Sequence, residues 1–169
     1  CIEELDTPKP VVNSDLTTLV PRVKSFTNQY VTKGAYTNSE NNITSLAVLI
    51  FGTDGNLIDY QESNTTSIII NKSKLSTIAS AANLETATIM MFANISLADI
   101  KDANGTSITS AATLNIANIG NYACDLTGKN IITSLPDDFK GFPMMGVNTS
   151  VNLCPATSQQ EAIEVSLKI

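Results

Sequence analysis

The feature that most limits the fold is Leu46–Phe51, an unbroken apolar run followed almost at once by Thr53-Asp54-Gly55-Asn56. A run this short, with β-branched Val48 and Ile50, reads as a buried strand rather than a helix. Gly55 takes positive φ without steric cost, so the tetrapeptide reads as a hairpin turn and Leu57–Gln61 as the returning strand. The end of the chain carries a second pattern. Ile163, Val165, Leu167 and Ile169 alternate with Glu164, Ser166 and Lys168, the period of a strand with one face buried.

Other segments fit around these two. Thr65–Ile70, Thr86–Ala93 and Val147–Leu153 read as strands, the last at a sheet edge. Leu16–Val20 and Val23–Tyr30 read as two pieces of a first strand interrupted at Pro21. Asn71 or Ser73 caps a short helix running through about Ala82, with Leu75, Ile78 and Ala79 on one face. Leu97–Lys101 reads as a helical turn, while Ser107–Asn121 fits either a helix followed by a strand or an irregular crossing. Residues 1–14 read as a flexible leader and residues 15–169 as one domain. The sum is a mostly β chain, a sandwich of about seven strands with one or two short helices.

Composition narrows what such a domain does. The 169 residues include 17 Asn, 16 Ser and 20 Thr but only 15% charged residues, a surface typical of exported proteins. The net charge is −6 and no basic run exists, so the counterion displacement that nucleic-acid binding needs has no source. Adhesion to anionic lipid through a polybasic face is excluded on the same ground. There is no His and no Trp. The first absence removes the commonest general base and metal ligand, and the second the usual sugar-stacking platform. The glycines stand singly, with no phosphate-binding loop, and Asp137-Asp138 is too short for a calcium cage. The reading is a non-enzymatic domain with no catalytic residue, cofactor or metal.

Three cysteines remain. Cys1 opens a polar segment containing Pro8 and Pro10, as the acylated first residue of a mature bacterial lipoprotein does; an ordinary cysteine at a chain boundary fits equally. Cys124 and Cys154 fit either a disulfide closing a loop of about 30 residues, worth about 3 kcal/mol at best, or two buried thiols.

Three segments, in order, resemble one family. Glu40 to Ile58, containing Ile43, Leu46, Val48, Ile50, Phe51, Gly55 and Leu57, is similar to the opening of Bacteroidales-type fimbrillins, the type V pilins. Met90-Met91-Phe92-Ala93-Asn94 is similar to a strand of that family ending in Ala-Asn. Phe142-Pro143-Met144-Met145-Gly146 is similar to its Pro-Met-x-Gly motif. The resemblance spans about 110 of the 169 residues and implies a transthyretin-like β-sandwich, the N-terminal domain of a two-domain pilin. It implies lipidation at Cys1, a place on the outer membrane in a fimbrium, and other pilin subunits as partners. It also implies proteolytic processing in the loop behind the first strand, where Lys33 lies, with Arg22 as runner-up. The removable strand would carry Leu16, Leu19, Val23 and Phe26, and a donor strand would replace it. The alternative of the same fold is a lipid-anchored surface adhesin, pilus tip or anchor without strand exchange, its host or bacterial ligand unknown.

Overall fold

The computed structural model describes residues 15–23, 42–110, 114–124, 141–154 and 162–168. Over these the chain forms β1 (Leu16–Val23), β2 (Leu46–Phe51), β3 (Leu57–Ser63), β4 (Ile68–Asn71), α1 (Lys72–Leu75), α2 (Ala81–Leu84), β5 (Ala87–Ala93), β6 (Ile100–Lys101), β7 (Ala123–Cys124), β8 (Met144–Val151) and β9 (Ala162–Leu167). Three 3-10 turns, Leu97–Asp99, Ile108–Ser110 and Ile119–Asn121, fall between β5 and β7. One sheet has the order β4-β1-β9 and the other β3-β2-β5-β8, with β6 and β7 as a small ribbon. The molecule is the mostly β sandwich that the apolar patterns imply.

Why Leu46–Phe51 is apolar throughout is now clear. Its residues alternate between two cores: Leu46, Val48 and Ile50 face the space between the sheets, and Ala47, Leu49 and Phe51 face a second cluster on the other side. β5 repeats the arrangement with Ile89 and Met91 inward and Met90 and Phe92 outward. A central strand covered on both faces has no reason to alternate with polar residues. β9 is covered on one face, so Ile163, Val165 and Leu167 are buried while Glu164 is exposed.

The second cluster is roofed by residues 95–110 and 114–124, which carry little regular structure. Backbone and side-chain bonds pin this roof to the sheet. Leu57 N donates to Leu114 O at 2.9 Å and Ile116 N to Gly55 O at 2.8 Å. Asn115 Nδ2 donates to Asn56 Oδ1 at 2.8 Å, and Leu97 N to the Glu62 carboxylate at 2.7 Å. The turn at the β2–β3 hairpin is therefore also the anchor of the third layer. Gly55 holds φ at +88° there, as the turn requires.

Asn94 locks three separate segments. It holds a left-handed φ of 61°, which Asn tolerates better than most residues. Its Oδ1 accepts from Thr44 N at 2.9 Å and Thr44 Oγ1 at 3.2 Å. Its Nδ2 donates to Asn42 O at 2.8 Å and Phe142 O at 2.9 Å. The entry to β2, the exit of β5 and the approach to β8 thus meet on one amide. This accounts physically for the Ala93-Asn94 pair in the second family-like segment.

The helix expected from Asn71 through Ala82 is two short helices instead. Asn71 does cap the first, its Oδ1 accepting from Ser73 N at 3.1 Å and Lys74 N at 3.4 Å. After Leu75 the Ser76 and Thr77 hydroxyls bond back to Ser73 O and Lys74 O at 2.7 and 2.8 Å, and the chain turns. Such bonds compete with helix propagation. Leu75 is buried as expected, but Ile78 is left 55% exposed. The first strand also differs from expectation, because β1 runs through Pro21 without interruption. Its ladder to β4 ends at Leu19, so at Pro21 that flank is already unpaired and a missing N–H matters less.

Candidate functional site

The candidate site is the slot that β1 fills. β1 lies between two strands, antiparallel to β4 (Leu16↔Asn71 to Leu19↔Ile68) and parallel to β9 (Thr18↔Ala162 to Val23↔Leu167). A strand in that position satisfies backbone groups on both neighbours, so its departure would open two edges at once. The walls of the slot are apolar: Ile68 and Ile70 from β4, and Ile163, Val165 and Leu167 from β9, all in the inner core.

What β1 puts into this slot is modest. The buried positions are Thr17 and Leu19, with partly buried Val23 packed against the core. Leu16, one of the apolar residues expected on the removable strand, is 39% exposed and lies on the outer face. The reason is register. Leu16, Leu19 and Val23 are spaced three and four apart, a helical spacing that no single face of a strand presents. The alternation of this strand selects Thr17 and Leu19. Thr17 is 1% exposed, stands opposite Ile70, and its Oγ1 has no hydrogen-bond partner. The sequence reading missed it because a hydroxyl does not register as a core residue.

One wall is fixed from behind. β8 meets the far edge of β9, with Met145 and Lys168 exchanging two backbone bonds of 2.9 Å and Asn148 Nδ2 donating to Glu164 O at 2.9 Å. Between them Gly146 approaches the Ser166 carbonyl so closely that a Cβ would collide with it. This seam joins the two sheets along one side.

Of the expected processing positions, Arg22 lies inside β1, paired across to Ser166, with its guanidinium 3.0 Å from the exposed Glu164 carboxylate. A protease binds an extended, unpaired segment, so a bond within a sheet is a poor substrate. Lys33, Phe26, Cys1 and Ile169 lie outside the described residues. The bridge considered between Cys124 and Cys154 is not formed. The two thiols stand on opposite faces of the four-stranded sheet: Cys154 in the inner core, donating to Ala81 O at 3.2 Å, and Cys124 against the outer cluster.

A second feature lies on the outer face of that sheet. A pocket of about 400 Å³ opens between Met90 and Phe92 below, Tyr122 and Cys124 of the roof, and Met145 and Lys168 at the seam. Met145 and Val147 beside it are 47% and 41% exposed. Among the described residues no group of His, Cys, Asp and Glu is placed to hold a metal, and no helix is long and apolar enough to cross a membrane.

No protein-family model matches the chain, and no curated protein does. Solved structures do. The fold is similar to that of a protein from Bacteroides ovatus provisionally assigned as an adhesin, with a TM-score of 0.53 at 12% identity, over 90% of this chain and 46% of that one. It is similar to proteins from Bacteroides thetaiotaomicron provisionally assigned as polysaccharide-binding, with a TM-score of 0.50 at 11% identity, over 90% and 46% of the two chains. A fimbrial assembly protein from Parabacteroides distasonis aligns with a TM-score of 0.49 at 17% identity, over 90% and 52%. The chain spans about half the length of the structures it matches. At such identities the likeness is one of fold, and this sandwich is a fold found in the Bacteroides ovatus and Bacteroides thetaiotaomicron proteins.

Proposed function

We propose that this chain is a structural subunit of a fimbrium on the bacterial outer membrane, held there by a lipid on Cys1 and assembled by strand exchange after cleavage at Lys33 releases β1. One observation carries the reading: β1 is an inserted strand, paired on both flanks, yet it contributes a single large, fully buried side chain, Leu19, to an apolar slot. Once cut from the domain, such a strand keeps its ladder bonds but loses the advantage of being tethered, so an added strand of better fit competes with it. The fold shared with a protein provisionally assigned as an adhesin agrees with a surface role.

The test is limited digestion with a lysine-specific protease, read by mass spectrometry and size-exclusion chromatography. Early cleavage after Lys33, release of residues 1–33 and the growth of oligomers are expected, with all three absent in Lys33→Ala. An intact Lys33, or a cut chain that stays monomeric, refutes the proposal. A second reading, a surface adhesin, tip or anchor without strand exchange, is favoured by the apolar pocket under Tyr122 and the exposed Met145 and Val147 beside it. It expects a stable monomer after digestion.

A further inference from the structure

The hydroxyl of Thr17 has no evident structural purpose. The side chain is 1% exposed, faces the inner core, stands opposite Ile70, and its oxygen meets no partner. Burying a hydroxyl without a hydrogen bond is unfavourable, and an apolar group of the same shape avoids the cost. Two residues on, Leu19 fills its place fully between Ile68 on β4 and Ile163 on β9. The resident strand thus fits the slot well at one inward position and badly at the next. Val has nearly the outline of Thr and no polar atom, and is also the better strand former in an apolar setting.

We propose that Thr17 makes β1 a placeholder strand, and that the slot selects an incoming strand from another subunit with a β-branched apolar residue, Val or Ile, in register with Thr17 and a Leu or Ile two positions later. This inference rests on the strand-exchange reading and adds to it the chemistry of the partner and the direction of the exchange. The mismatch holds the free subunit short of its most stable packing, and the donor strand removes the mismatch. Thr17 is then a specificity-determining position whose effect comes from what it fails to satisfy.

The experiment uses the full chain and its Thr17→Val variant. In the intact protein, Thr17→Val is expected to raise Tm by about 3–6 °C, the shift that one relieved buried hydroxyl gives in a domain of this size. The wild-type chain is then cut at Lys33 and offered fluorescent peptides of residues 15–24, either unaltered or carrying Thr17→Val. The Val peptide is expected to be retained about tenfold more tightly, and the Thr17→Val chain, once cut, to lose its own strand about tenfold more slowly. An unchanged or lowered Tm overturns the inference, whatever happens on cleavage. A raised Tm with equal retention of both peptides also overturns it, while leaving strand exchange standing. If neither peptide enters the cut protein, strand exchange itself fails and this inference fails with it.

Discussion

Replacing Asn94 should be among the most damaging single changes outside the apolar core. Its amide makes four hydrogen bonds to Asn42, Thr44 and Phe142, and its φ is 61°. In Asn94→Ala all four are lost, and the carbonyls of Asn42 and Phe142 and the N–H of Thr44 lose these partners. At about 1 kcal/mol per bond, with the weaker Thr44 hydroxyl bond counting for less, the loss is about 3 kcal/mol. Alanine at positive φ adds about 1 kcal/mol. Asn94→Gly loses the same bonds without the backbone penalty, and Asn94→Asp keeps the acceptor for Thr44 while facing two carbonyls with a carboxylate. The expected order of destabilisation is Ala, about 4 kcal/mol, above Gly, about 3 kcal/mol, with Asp also destabilised. Urea unfolding followed by circular dichroism reads these as shifts in midpoint at constant slope. An Asn94→Ala variant within about 1 kcal/mol of wild type would show that the three segments are held by something else.

Other variants probe other parts of the same scheme. Gly146→Ala drives a methyl into the Ser166 carbonyl, so it should lower stability by about 2–3 kcal/mol and speed amide exchange along β9, measured by hydrogen–deuterium exchange. Leu19→Ala empties the one well-filled position of β1 and should cost about 3–4 kcal/mol by denaturant titration. Arg22→Ala breaks only an exposed pair with Glu164, and its change in unfolding free energy should stay below about 0.5 kcal/mol. Digestion with a lysine-specific protease should spare Lys72, whose side chain is buried at the start of α1, well after Lys33 is lost.

Some of this architecture could be read directly from residue order. Leu46–Phe51, the turn at Gly55 and the alternating C-terminal strand were legible because burial imposes a period, and one- or two-faced burial imposes different ones. The helix after Asn71 was overread, since the cap was visible but the Ser76 and Thr77 back-bonds that end the helix are not a matter of periodicity. The inward face of β1 is not legible in residue order, because Leu16 looks like an anchor and Thr17 does not. Only the cross-strand register, which depends on β4 and β9 far along the chain, decides between them. Asn94 stood in a recognisable segment, but its role needs three distant backbones to converge. Cys124 and Cys154 are close in sequence, yet a whole sheet stands between their side chains.

The seam at Gly146 gives the two banks of the β1 channel unequal mechanics. β9 is moored to β8 at Met145 and Asn148, and β8 in turn is laddered to β5, so that bank belongs to the rigid body of the domain. Among the described residues β4 has no ladder on its far side; it is continuous with α1, and Lys72 N is bonded to Asp15 O, at the head of β1 itself. Remove β1 and one bank stays put while the other is slackened. A newcomer would therefore align against β9 first, and β4 would close over it afterwards, like a hinged clasp shutting on a fixed rail.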